Sequence, residues 1–126
     1  MKMKKPIVFA CAGCSIVAKL SWELAHELDN RGIAEMSCLA GVGAQKPVFL
    51  KKLQNREVWV IDGCPIDCGE GIFGLVETSV DRHIRLSDFG FKKHVAPEGG
   101  VDMDQLINDV LSSIGYQHPE PAQAAE

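Results

Sequence analysis

No stretch of this chain is apolar over the roughly 18–20 residues that a membrane-crossing helix needs, and no basic stripe marks a nucleic-acid surface. The 13 Lys and Arg stand against 17 Asp and Glu, for a net charge of −4. Neither a membrane nor a nucleic acid is therefore expected as a partner. The signatures of several enzyme classes are also missing. A phosphate-cradling cysteine enzyme needs Cys-x5-Arg, but the sixth position after the five cysteines holds Val17, Leu20, Ala44, Glu70 or Gly74. A radical cluster motif would place a third cysteine where Gly71 stands. Gly41-Val42-Gly43 and Gly69-Glu70-Gly71 fall short of a dinucleotide or P-loop fingerprint, so tight turns explain these glycines better. No carboxylate pair, Ser-His-Asp order or Cys-His order is evident. No internal repeat is seen, and no second domain is expected.

A secretory leader is mimicked but not met. Lys2, Lys4 and Lys5 precede a short apolar run, Pro6 to Ala10, and Cys11-Ala12-Gly13-Cys14 faintly resembles a lipoprotein cleavage site. The run is shorter than the roughly 7–15 residues of a signal core. It reads as a first buried strand behind a basic tail, and the expected location is cytoplasmic.

What is present is a compact alternation of strand and helix. The 126 residues, 46% hydrophobic and 24% charged, suit one domain with its own core. Ile16, Val17, Leu20, Leu24 and Leu28 form one helical stripe from Ser15 to Asn30, with Gly32 as its stop. Strands are expected at Pro6–Ala10, Ile33–Leu39, Glu57–Asp62 and His83–Ser87, and further helices at Pro47–Gln54, Gly69–Thr78 and Val101–Ile114. Residues 40–44 read as a glycine-rich loop and 64–68 as a turn. The alternation predicts βαβ units. The expected fold is α/β, a single three-layer domain with a mostly parallel open sheet of about four strands, Rossmann-like. Residues 1–115 form the domain and 116–126 a flexible tail.

Five cysteines, an odd number, do not suggest a disulfide framework in a reducing compartment. Their placement is the informative feature. Cys11 and Cys14 follow strand one, Cys38 ends strand two, and Cys64 and Cys68 follow strand three. In open parallel sheets, function gathers beyond the carboxyl ends of the strands. Core thiols would not be confined to that edge. The spacings Cys11-x2-Cys14 and Cys64-x3-Cys68 are those that present two sulfurs to one ion, and zinc favours such soft tetrahedral sets. Helix starts after strands one and three would favour thiolates.

Asp62-Gly63-Cys64-Pro65-Ile66-Asp67-Cys68 resembles the signature of the DGC-domain family of zinc-binding proteins. Cys11-Ala12-Gly13-Cys14-Ser15, the helix from Val17 to Leu28, and Met36 to Gly43 resemble the family's other segments, so that the likeness spans about residues 6 to 95. The resemblance implies a zinc site on Cys11, Cys38, Cys64 and Cys68. Cys14 falls where the family turn accepts other small residues, which makes it an alternative ligand, a spare thiol or a redox partner.

Three functions remain: a zinc-binding module, a cysteine-dependent redox or sulfur-transfer enzyme, and an iron–sulfur protein, since thiolates serve either metal. Asp62 is placed to orient a ligand or to cap the following turn. Ser15 and Asp67 are candidate helix caps near the site. Among the histidines, His26 is expected on the surface, His83 at the far end of its strand, His94 away from the cysteine edge and His118 in the tail. Trp22 and Trp59 are expected to anchor packing.

Overall fold

A computed structural model describes residues 5–116 of the chain. Four strands, β1 (Ile7–Ala10), β2 (Glu35–Met36), β3 (Val58–Asp62) and β4 (Arg82–Arg85), form one sheet in the order β2-β1-β3-β4. Every pairing is parallel. The helices are α1 (Ile16–Asn30), α2 (Leu39–Gly43), α3 (Pro47–Lys51), α4 (Cys68–Leu75) and α5 (Met103–Ser113), with a 3-10 turn at Leu86–Phe89. The chain leaves β1 toward β2 and returns past it to β3. The strand order therefore reverses between β1 and β3, the position at which such sheets open a crevice.

The period of two along the strands divides the core into two layers. Val8, Trp59, Ile61 and Ile84 face α1 and α5, meeting Leu24, Leu28, Ile107 and Val110. Ile7, Phe9, Val58 and Val60 face the opposite layer, meeting Val42 of α2 and Phe73 of α4. Helices thus cover both faces, the three-layer arrangement expected. Residues of β1 and β3 are buried throughout, as strands covered on both faces must be.

Three elements differ from expectation. The second strand contributes only Glu35–Met36, because Cys38 leaves the sheet and begins α2, where its Sγ accepts the Gly41 N–H at 3.3 Å. The expected glycine loop is that short helix. β4 ends at Arg85, and Leu86–Phe89 coils into the 3-10 turn. Trp59 is fully buried, with its ring against Tyr116 at 5.3 Å, so the first residue of the expected tail is packed; residues 117–126, including His118, lie outside the described residues. Trp22 is 43% exposed and stacks edge-on against the exposed His26 at 4.1 Å rather than entering the core.

Candidate metal centre

Cys11 is held from both sides. Its N–H donates to the Ile61 carbonyl at 3.0 Å, which extends the β1–β3 ladder one residue past β1. Its carbonyl lies against the buried Ser21 hydroxyl, which is also 2.8 Å from the Ala18 carbonyl. Ser15 starts α1 and accepts the Ala18 N–H at 3.1 Å, while the Lys93 carbonyl accepts the N–H groups of Ile16 and Val17. Ser15 therefore serves the helix end, as its residue type predicts.

The Asp62-Gly63-Cys64 turn has a separate physical requirement at each position. Asp62, 1% exposed, accepts the Gly69 N–H at 2.8 Å and the Glu70 N–H at 3.2 Å, capping α4 from the end of β3. Of its two expected roles the structure shows the cap, while its side chain also lines the cavity that holds the thiols. At Gly63 a Cβ would lie 2.7 Å from the carbonyl carbon and oxygen of Val17, so this turn touches the first turn of α1 and admits no side chain. Cys64 follows, and its carbonyl accepts the Asp67 N–H at 3.3 Å. Asp67 sits at the cap position of α4 with φ 59°, a left-handed value that Asp tolerates. Its carboxylate does not cap the helix but grips Arg85 through two hydrogen bonds, at 2.8 and 2.6 Å. That pairing holds the Asp67 carboxyl below its ordinary range.

Cys11, Cys14, Cys64 and Cys68 line one cavity of about 170 Å³, with Asp62 and Lys93 on its wall. Cys38 lines a neighbouring cavity of about 370 Å³ with Trp22 and Ile72. Cys11 and Cys64 are half-buried; Cys14, Cys38 and Cys68 are exposed. Burial pushes the Cys11 thiol up. The Gly13 N–H opposes this, and the nearby Asp62, Cys68 and Cys64 add to it. The cavity thus concentrates soft, ionisable donors beside a buried carboxylate. A dication would be drawn there and would favour the thiolate forms.

Sequence reasoning missed His83. It is not remote from the site: parallel register sets it opposite Val60, on the α4 side of the sheet. Its Nε2 lies 2.8 Å from Asp62 Oδ2 and its Nδ1 2.6 Å from Glu70 Oε2. The alternation His83-x-Arg85 was the available signal, because it sends both side chains to the face that Asp62 occupies. Among the described residues, the group of three potential metal donors already within 4.8 Å of one another is Asp62, Asp67 and His83, not a set of sulfurs. His94 is exposed.

Fold and site together define a small, all-parallel α/β domain with a cysteine-lined cavity where its strand order reverses. The chain belongs to the DGC domain family, whose model matches residues 7–110. It is 43% identical over 89 residues to the Anaerobic and virulence modulator AnvM of Pseudomonas aeruginosa, a match that covers 70% of this chain and 68% of that protein. No solved structure matches the chain significantly.

Proposed function

We propose that this protein is a metal-binding module that holds zinc through cysteine thiolates at the carboxyl edge of its sheet. The observation that carries the reading is the single cavity bordered by Cys11, Cys14, Cys64 and Cys68. The donor chemistry fits: soft sulfurs on C-x2-C and C-x3-C spacings suit a tetrahedral d10 ion. Cys11, Cys64 and Cys68 are common to the cavity and to the family resemblance. For the fourth position the cavity favours Cys14 and the resemblance favours Cys38. The Pseudomonas relative bears the name of a modulator, and a modulating role for a metal-binding module accords with this reading. The expected compartment is the cytoplasm.

The test is elemental analysis of protein purified anaerobically without chelator. About one zinc per chain is expected, lost in Cys11→Ser, Cys64→Ser and Cys68→Ser. Comparing Cys14→Ser with Cys38→Ser identifies the fourth donor by which of them lowers zinc affinity. A folded, colourless and metal-free wild type would reject the proposal. A brown protein containing iron and sulfide would replace zinc with a cluster. A dithiol enzyme is the weaker reading, because a redox pair accounts for only two of the four thiols that share the cavity.

A further inference from the structure

We propose a second metal site, beside the thiol cavity and sharing its Asp62 and Asp67 wall, in which Asp62, Asp67 and His83 present oxygen and nitrogen donors to one divalent first-row cation. His83 Nε2 lies 2.8 Å from Asp62 Oδ2 and 3.7 Å from Asp67 Oδ1. Donors bonded to a shared ion at about 2.0–2.2 Å sit about 3.0–3.4 Å apart, so small side-chain adjustments bring these three atoms onto one ion. The arrangement behind the donors is also that of a ligand histidine. Glu70 Oε2 lies 2.6 Å from Nδ1, so with a cation on Nε2 the Nδ1–H would donate to Glu70. Arg85 holds Asp67 through two hydrogen bonds, and the N–H groups of Gly69 and Glu70 hold Asp62. Each donor is thus oriented by a partner of its own.

Charge and access agree with this geometry. The carboxylates of Asp62, Asp67 and Glu70 surround His83, and Arg85 pairs with both Asp67 and Asp88, so acidic groups outnumber the fixed cation. A cavity of about 270 Å³, lined by Glu70 and His83 and by no cysteine, gives access to the ring. The competing arrangement places a second proton on His83, making an imidazolium clamped between Glu70 and Asp62. The donor set separates the two metal positions by chemistry: the carboxylates admit harder ions such as Mn2+, with the imidazole as a borderline donor, whereas thiolates select softer ions.

The experiment is an Mn2+ titration of the chelator-treated full-length chain, followed by electron paramagnetic resonance. One bound Mn2+ per chain is expected, with hyperfine coupling to an imidazole nitrogen. The affinity is expected to fall more than tenfold in His83→Gln and about 10–100-fold in Glu70→Gln. It is expected to persist, within about twofold, in a Cys11→Ser, Cys64→Ser, Cys68→Ser triple variant. Absence of Mn2+ binding, absence of nitrogen coupling, or unchanged affinity in His83→Gln overturns the site in favour of the clamped imidazolium. Loss of Mn2+ in a folded triple variant overturns it in favour of the thiol cavity. Should any variant fail to fold, binding and nitrogen coupling in the wild type still decide. A zinc-free wild type that binds Mn2+ would reject only the thiolate reading, and a zinc-loaded one that ignores Mn2+ only this inference.

Discussion

Gly63 and Gly71 make opposite predictions from the same type of residue. At Gly63 a Cβ would strike the backbone of Val17, which cannot move without unseating the first turn of α1. Gly63→Ala is expected to lower stability by about 1–3 kcal/mol, measured by urea unfolding. At Gly71, inside α4, a Cβ meets nothing within 4 Å. Gly71→Ala is expected to raise stability by roughly 0.5–1 kcal/mol, by removing the backbone freedom glycine has in the unfolded chain. A loss at position 71, or none at 63, would contradict the packing described. The residue types at this turn were legible as a motif, and Cys64 and Cys68 as candidate donors. The reason for the glycine between Asp62 and Cys64 was not, because the atoms it avoids belong to a helix more than forty residues earlier.

Among the elements, α4 matters most, since it carries Cys68 and Glu70 on a short, glycine-rich helix of low intrinsic propensity. Its attachment to the sheet is Phe73, fully buried and packed edge-on against Phe9 at 5.1 Å. Phe73→Ala is expected to cost about 3–5 kcal/mol and to weaken zinc retention along with stability, read by thermal unfolding and metal content together. At α1, Ser15→Ala removes one capping bond but leaves the Lys93 carbonyl on Ile16 and Val17. The expected loss is therefore only about 1 kcal/mol, checked by thermal unfolding. Helix α1 was readable from its long, consistent period, and strand β3 from its unbroken run of buried apolar residues. The short β2 and α2 were not: a two-residue strand has no period to read, and Cys38 as the cap of α2 is a local competition between turn and ladder.

For the molecule as a whole, acid stability depends partly on a pair that ties β2 to the segments leading into β1 and β3. Buried Arg56 donates to Glu35 at 2.9 Å and to the Lys5 carbonyl at 3.0 Å, linking β2 to the segment before β1. Arg56 holds the Glu35 carboxyl below its ordinary 4.5, against the opposing effect of burial. A carboxyl lowered in the folded state contributes stability in full above its unfolded value and loses it as pH falls through the folded value. The stability advantage of the wild type over Glu35→Gln is thus expected to be constant above about pH 5.5 and to shrink progressively as pH falls below Glu35's ordinary value and through its lowered folded-state value. Chemical denaturation of both proteins across that range is the check.

By itself the sequence determined the α/β class, the long elements, and the gathering of cysteines at strand ends, because burial periodicity and chain order are local properties. Only the tertiary structure decided which thiols share a cavity and that His83 belongs beside Asp62. Those relations depend on strand order and register: β1 and β3 are neighbours although β2 lies between them in sequence, and one parallel pairing sets residue 83 against residue 60.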